Sequence, residues 1–175
     1  MDTVTETQRE PVPRVDTGEL ETALAFLRFA RHCVVKKTDG LSDEQLRRVL
    51  VPSGTSLLGL VQHLTTGERW WFGHHFAEIT PGADPADDDE SGFDFSMQVP
   101  DSVPAGAVLD AYGRAIEDSD ALITRLGDVE ARTTRAVDGQ FKTLRWVLAH
   151  ATSEVARHAG HADILRELLD GTTGR

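Results

Sequence analysis

The residues of this sequence best placed to do chemistry together are Glu154 and His158, which lie four positions apart in one apolar stretch. Side chains at positions i and i+4 lie on the same face of an α-helix, so this carboxylate and this imidazole can point at a single cation. His63, in an earlier apolar stretch, offers a further nitrogen ligand. Two neutral imidazoles and one carboxylate form a ligand set of catalytic zinc, which keeps one position open for water or substrate.

A divalent metal at such a site would lower the pKa of the group in its open position and would stabilise developing negative charge. A small thiol bound there would be held as the thiolate, which is the reactive nucleophile. His150 and His161, each one helical turn from the pair, could serve as outer hydrogen-bond partners, alternative ligands or proton shuttles. Other interpretations stay open, because Glu-x-x-x-His is also an ordinary surface pair and a lone core histidine often only packs.

The stretch that carries the pair, from Leu144 to Leu169, has apolar residues at helical spacing and no Pro, which predicts a long helix. Its predicted inward face advances by alternating steps of four and three residues, as in a helix that packs in a bundle. Polar side chains on that face need partners, because burying them unpaired costs free energy. The face comprises Val147, Ala151, Glu154, His158, His161, Leu165 and Leu168.

Apolar residues at the same spacing predict other long helices. These cover residues 17–37, 55–78 and 105–126. Ser42 and the acidic residues after it predict the start of a short helix, and Thr55 or Ser56 is the expected N-cap of the helix that carries His63. The sequence therefore predicts an all-α fold built as a four-helix bundle.

The connections between the predicted helices differ in length and composition. Residues 80–104 form a long acidic connection rich in Pro, Gly and Asp, in which Phe93, Phe95 and Met97 could fold back over a pocket. An Asp138-Gly139 turn signal predicts a short hairpin or an extended crossover before the last helix. Residues 1–16 are polar and lack an apolar period, which predicts a flexible N-terminal arm before a single domain over residues 17–171.

Composition limits the partners that we expect. The net charge of −11 argues against a nucleic-acid partner, because no basic surface is available to neutralise phosphates. No apolar run reaches the roughly 18–20 residues of a membrane span, and the first residues lack the basic and apolar segments of a signal peptide. Cys33, the single cysteine, cannot form an internal disulfide, so we expect a cytoplasmic protein. The sequence also lacks GxGxxG, P-loop, GxSxG and HExxH motifs.

A family resemblance is carried by two segments, SLLGLVQHLTTGERWWF and LAHATSEVARHAGHADILRELLDG. They resemble the signature helices of the DinB-like superfamily and, more narrowly, of its branch of mycothiol-dependent maleylpyruvate isomerases and mycothiol S-transferases. Members of that superfamily are four-helix bundles with a divalent metal held by one His and a later His-x-x-x-His pair. His63 and His158 match the outer positions of this pattern. Glu154 stands where many members have His, as in the mycothiol-dependent branch.

The resemblance implies a metal centre, zinc or nickel, with His63, Glu154 and His158 as ligands. It also implies that mycothiol or another small thiol is activated there for transfer to, or isomerisation of, a small electrophile. A homodimer through an apolar helix face would fit the superfamily. Two other functions stay open, a non-catalytic metal-binding bundle and a metal-dependent hydrolase that uses bound water. A cavity beside the metal would favour an enzyme, whereas a closed site would favour the binding bundle.

Substrate contacts are predicted on the two signature helices. Arg69, Arg145 and Arg157 could hold an anionic group of a thiol or substrate. Trp70 could line a pocket wall. The three arginines could equally be solvated surface charges, so the structure around each of them decides its role.

Overall fold

Helices form the regular structure of the chain in a computed structural model, which describes residues 10–77 and 92–174. The elements in chain order are α1 Glu19–Lys36, α2 Asp43–Arg47, α3 Leu57–Glu68, a π-helix Arg69–His74, α4 Ala105–Leu126 and α5 Leu144–Asp170. No strand occurs within the described residues. The prediction of an all-α fold is therefore confirmed, and none of the described helices has the length and apolar character to span a membrane.

The helix starts follow the predicted capping residues. The Ser42 hydroxyl accepts a hydrogen bond from the Gln45 N–H, and the Gln45 side chain accepts one from the Ser42 N–H, which forms a capping box at the start of α2. The Ser56 hydroxyl accepts a hydrogen bond from the Gly59 N–H at 3.1 Å. Ser56 is therefore the N-cap of the helix that carries His63, as one of the two predicted candidates.

The helix predicted over residues 55–78 changes its geometry part of the way along. Regular α-helix ends at Glu68, and the run Arg69–His74 continues as a π-helix. A π-helix adds almost one residue to each turn, so it changes which side chains share a face. Apolar periodicity over so short a run does not distinguish the two helix types. The predicted end at Glu78 lies outside the described residues.

Helix packing brings the predicted site helices together. The helix α1 packs mainly on α5, α3 packs on α4, and α3 also contacts α5. The core between them is built from Leu27, Val34, Leu58, Leu60, Val61, Ile123, Leu144, Val147 and Leu148, all almost fully buried. The contact between α3 and α5 places the face of His63 opposite the face of Glu154 and His158.

The predicted inward face of α5 matches the structure in its first half and departs from it later. Val147, Ala151 and His158 are buried, whereas His161 is exposed and Leu168 is 56% exposed. A strict seven-residue repeat drifts by about 20° per heptad around a straight α-helix. His161 and Leu168 therefore turn towards solvent, and the prediction that these two positions are buried is wrong, whereas Leu165 between them is buried as predicted.

A buried ion cluster, which was not predicted from the sequence, joins three helices. Arg31 on α1 is 1% exposed and Glu68 on α3 is 4% exposed. Arg31 donates from Nε and Nη2 to the two oxygens of Glu68 at 2.7 and 2.5 Å. Its Nη1 donates to Asp120 on α4 at 2.8 Å. The signal was present, because Arg31 continues the buried spacing of Leu27 in α1.

The connection before α5 turns back on itself without forming a strand. Asp138 and Gly139 have φ values of 49° and 72°, the positive pair typical of a tight hairpin turn. Isolated antiparallel bridges join Arg132 to Thr143 and Val137 to Gln140. The predicted hairpin is reduced to this turn. About half of the acidic connection, residues 80–91, and most of the N-terminal arm, residues 1–9, lie outside the described residues.

Candidate metal centre and its cavity

Three side chains with metal-binding groups meet where α3 packs on α5. His63, Glu154 and His158 each offer one ligand atom, and these atoms lie within 4.8 Å of one another. The Glu154 Oε1 atom is 3.0 Å from Nε2 of His158 and 3.9 Å from Nε2 of His63. Ligand atoms on a tetrahedral zinc lie about 3.3 Å apart. Small side-chain movements would therefore bring the three atoms to metal-binding spacing.

The orientation of His63 is fixed by a backbone carbonyl. Its Nδ1 lies 2.8 Å from the carbonyl oxygen of Phe95. A carbonyl oxygen only accepts hydrogen bonds, so Nδ1 carries the proton and donates it. Nε2, which faces Glu154, then presents a lone pair. This is the tautomer of a histidine that binds a metal through Nε2.

The segment that supplies this carbonyl lies along α3. The Thr66 hydroxyl donates to the carbonyl oxygen of Asp94 at 2.8 Å, next to the Phe95 contact. Gly59, one turn before His63, leaves the space in which the carbonyl group of Met97 lies. Residues 94–97 are therefore held against α3 largely through backbone oxygens. The sequence predicted that aromatic side chains of this segment could fold back over a pocket, but it did not predict the role of the backbone.

His158 is 5% exposed, and its second nitrogen also has a partner. His158 Nδ1 lies 3.3 Å from Nδ1 of His161. If His158 donates this hydrogen bond, its Nε2 presents a lone pair towards Glu154 and His63. If instead Nε2 carries the proton, it donates to Glu154 at 3.0 Å. The His158 ring can therefore keep its position in both cases, with Nε2 unprotonated to bind a metal or with Nε2 protonated to donate to Glu154 when no metal is bound.

Charge states at the cluster suit a divalent cation. Burial lowers the pKa of His158, and the neighbouring His63 lowers it further, so His158 is neutral near pH 7. Burial raises the pKa of Glu154, but interactions with His158, Arg157 and His63 outweigh it, and the pKa falls below its usual value. A neutral His158 imidazole beside an ionised Glu154 carboxylate results, and His63 adds a second imidazole. This donor set fits zinc or nickel by its chemistry.

A cavity of about 380 Å³ adjoins the cluster, with His63 and Glu154 in its wall. The rest of the wall is mostly apolar and aromatic. It comprises Leu64, Gly67, Glu68, Trp70, Trp71, Phe72, Phe95, His150, Ala151 and Val155. The volume falls in the range of small-molecule sites. The π-helix contributes three of these aromatic and apolar residues, a geometry that recurs at functional sites.

His150 and His161 occupy different surroundings. The His150 ring stacks on Trp146 at 5.1 Å between centroids and meets the edge of Trp71 at 4.6 Å, so it belongs to the cavity wall. His161 is exposed and contacts His158 from outside the cluster. The structure therefore brings His161 to a metal-ligand candidate and His150 to the cavity.

The predicted substrate contacts lie in different places. Trp70 is buried in the cavity wall and stacks on His74 at 4.6 Å. Arg69 is exposed and lines a second cavity of about 370 Å³ that faces α4. Arg157 is 64% exposed, and its Nη2 lies 3.6 Å from Glu154 Oε2.

Arg145, the third predicted anion-binding arginine, is engaged elsewhere. It forms surface ion pairs with Glu19 and with Glu130. Side-chain hydrogen bonds that its guanidinium donates to these two carboxylates raise the pKa of Arg145. Arg145 therefore joins α1 to α5 at the surface and does not line the cavity beside the candidate metal centre.

Comparison with known families accounts for most of the chain. The family model described as Mycothiol-S-transferase matches residues 22–171. The matched range includes both helices that carry the candidate metal ligands and the whole of the π-helix. None of the curated proteins compared with the chain matches it significantly.

Proposed function

The chain belongs to the mycothiol S-transferase family, and from this premise we propose that it transfers a thiol of the mycothiol type to a small electrophile. Membership implies a thiol substrate. Residues 17–171 are proposed to act as one four-helix-bundle domain. His63, Glu154 and His158 are the proposed ligands of a divalent cation, zinc or nickel.

Support comes above all from the cavity beside the three ligand candidates. A metal that only fixed helix register would need no such space, whereas a transferase needs room for a thiol and an electrophile. The cavity of about 380 Å³ opens directly on His63 and Glu154. The function that this geometry favours is therefore chemistry on a bound small molecule.

A cation held by these ligands would favour the thiolate form of a bound thiol and would stabilise developing negative charge. The chain's own residues position that chemistry. The Phe95 carbonyl accepts a hydrogen bond from Nδ1 of His63, which favours the tautomer whose Nε2 presents a lone pair, and His161 can accept a hydrogen bond from Nδ1 of His158. The aromatic wall excludes water from the nucleophile, which limits hydrolysis of a reactive electrophile.

Proton release is proposed to involve His150. This imidazole lines the cavity without belonging to the ligand cluster. It can accept the proton of an incoming thiol and pass it to solvent at the mouth of the cavity. In the overall reaction the sulfur forms a bond to the electrophilic carbon, the leaving group departs with its electron pair, and one proton is released.

The decisive experiment combines metal analysis with a thiol-dependent thermal shift. Purified wild-type protein should contain stoichiometric zinc or nickel and should gain thermal stability when mycothiol is added. His158→Ala should lose both responses, whereas Arg125→Ala, an exposed position on α4 outside the cavity beside the ligand candidates, should keep both. Stoichiometric metal retained in His158→Ala would contradict the ligand assignment.

Alternative functions give different results in the same experiment. Metal without any response to thiols would favour a hydrolase or a non-catalytic metal-binding bundle over a transferase. Thiol-dependent interconversion of an electrophile, with no thioether product, would favour an isomerase. Product analysis by mass spectrometry separates transfer from isomerisation.

A further inference from the structure

The charged groups in the cavity wall are all negative. Glu68 and Glu154 line it, and no Lys or Arg does so among the described residues. Residues 78–91, which the structure does not describe, contain neither Lys nor Arg. Among the residues that the structure describes, the cavity therefore lacks the cationic side chain that an anionic substrate would require for recognition.

Two arginines contact the carboxylates of the cavity wall and are engaged by them. Arg31 donates to both oxygens of Glu68 and to Asp120, which leaves Glu68 neutralised at the cavity floor. Arg157 pairs with Glu154 from the solvent side. A thiolate together with Glu154 would balance a divalent cation at the centre, so no net positive field would remain to attract an anion.

The shape of the wall favours a flat apolar molecule. The rings of Trp71 and His150 meet at 64°, and those of Trp70 and Phe95 meet at 87°. Such rings offer both faces and edges to an aromatic guest, and aromatic pairs prefer these arrangements. A polyhydroxylated sugar would bury hydroxyl groups against carbon and leave them without partners, at a cost in free energy.

We propose that this cavity binds the electrophile, and that the electrophile is a flat, uncharged aromatic molecule rather than a carboxylate. The inference rests on the proposed function, because it names the substrate class of the same site. For an aryl chloride, the thiol sulfur bonds to the ring carbon, chloride departs with the electron pair of its bond, and the thiol proton passes to solvent.

The test compares two aryl chlorides that differ in charge, 1-chloro-2,4-dinitrobenzene and 4-chloro-3,5-dinitrobenzoate. Each rate with mycothiol is divided by the uncatalysed rate with the same thiol, which removes intrinsic reactivity. The neutral arene should be preferred in kcat/KM by at least about tenfold, because a buried carboxylate would face Glu154 without a counter-charge. Equal values, or a preference for the benzoate, would overturn the inference.

Binding can be measured without transfer. The chain has three tryptophans, Trp70, Trp71 and Trp146, and all lie in or beside the cavity wall, so bound nitroarenes should quench their fluorescence. The unreactive 1,3-dinitrobenzene should quench saturably, and 3,5-dinitrobenzoate should bind at least about tenfold more weakly. If the neutral arene binds but neither chloride reacts, the proposed transfer fails while the assigned ligand class is upheld. If thiol transfer occurs equally well with the neutral arene and the benzoate, the proposed function stands and only the proposal of an uncharged substrate is wrong.

A gain of charge gives an independent test. Gly67 lines the cavity, and a Cβ atom added there meets no other atom within 4 Å. Gly67→Lys should therefore place a cation in the wall, and Gly67→Gln is the neutral control of similar length. Relative to Gly67→Gln, Gly67→Lys should shift the preference towards the benzoate by at least about tenfold. If the ratio of kcat/KM for the neutral arene to kcat/KM for the benzoate were the same in both variants, the charge of the cavity wall would not select the substrate.

Discussion

Two polar clusters share the helix α3, and they meet the problem of burial in opposite ways. Around Arg31, donors face acceptors, since three guanidinium nitrogens donate to oxygens of Glu68 and Asp120. Around His63, acceptors face acceptors, because the proton of His63 lies on the side of Phe95 and its Nε2 faces a carboxylate oxygen. The first cluster is complete within the protein. The second is short of positive charge.

This difference separates a structural ion cluster from a candidate metal centre. Both contain charged groups partly or wholly removed from water, so burial alone does not distinguish them. The direction of the donors does. A cluster whose lone pairs converge on one point is stabilised by a cation there, and a cavity beside it indicates that the cation is put to use.

The largest effect on stability is expected from breaking the complete cluster. Arg31→Met leaves Glu68 buried without its counter-charge and should lower the free energy of unfolding by about 3–5 kcal/mol. Urea denaturation at pH 7 measures it. Arg28→Met is the matched control, because Arg28 pairs with the same Asp120 but is 54% exposed. That variant should lose less than about 1 kcal/mol. If both variants lost a similar free energy of unfolding, the buried cluster would contribute no more to stability than an exposed ion pair.

Removing the metal should have the next largest effect. A ligand present at about 100 times its Kd stabilises the native state by about 2.7 kcal/mol. A chelator should therefore lower the Tm of the wild-type protein, and added zinc should restore it. Glu154→Ala and His158→Ala should show neither change. If a chelator left the Tm of the wild-type protein unchanged, the cluster of His63, Glu154 and His158 would be a structural polar cluster like that of Arg31, and not a metal centre.

A smaller effect should follow from moving the carbonyl that orients His63. A Cβ atom at Gly59 would clash with the carbonyl oxygen of Met97, so Gly59→Ala should displace residues 95–97. Loss of the hydrogen-bond partner of a metal-binding histidine lowers metal affinity by about 10–100-fold. Gly113→Ala, where the added Cβ meets nothing within 4 Å, is the control with unchanged affinity. Competition with a fluorescent zinc chelator measures both affinities.

The smallest effect concerns Tyr112, which borders the Arg31 cluster. Burial, and secondarily the charge of Glu68, raises the pKa of its hydroxyl far above the ordinary value. The unfolded chain loses this proton above about pH 10 while the native state keeps it, so stability should fall as the pH rises beyond about 10. Tyr112 is the single tyrosine, so absorbance at 295 nm reports its ionisation directly. Ionisation at pH 10 in folded protein would contradict its burial.

Tyr112→Phe provides the corresponding variant. No described residue forms a hydrogen bond with the Tyr112 hydroxyl, which is buried. Its removal should therefore change stability at pH 7 by no more than about 1 kcal/mol, with stabilisation as the expected direction. The same variant should lose less stability than wild type between pH 9 and pH 11. An equal loss in both proteins would assign the alkaline transition to other groups.

The sequence predicted those parts of the fold that depend on local spacing. The bounds of α4 agree with the structure, and Ser42 and Ser56 cap the helices that follow them. The spacing of Glu154 and His158 led to one face of α5, and the structure brings His63, also predicted as a ligand, to this face across the helix contact. Each of these follows from helical periodicity or capping chemistry within a few residues.

Other features were missed because they depend on contacts between distant segments. The Phe95 carbonyl has no sequence signal, since every residue carries one. The pairing of Arg31 with Glu68 joins two helices whose relative position the sequence did not provide. The π-helix at Arg69–His74 and the outward turn of His161 reflect small changes in helix geometry that a seven-residue pattern does not record.

The double use of Phe95 has a consequence for how such a site can diverge. Its backbone carbonyl orients His63, while its side chain lines the cavity. Mutation replaces side chains and leaves carbonyl groups in place. Substitutions at position 95 can therefore change the shape of the cavity during evolution while the His63 imidazole keeps its orientation. The protein can then acquire new substrates without a change in its candidate metal ligands.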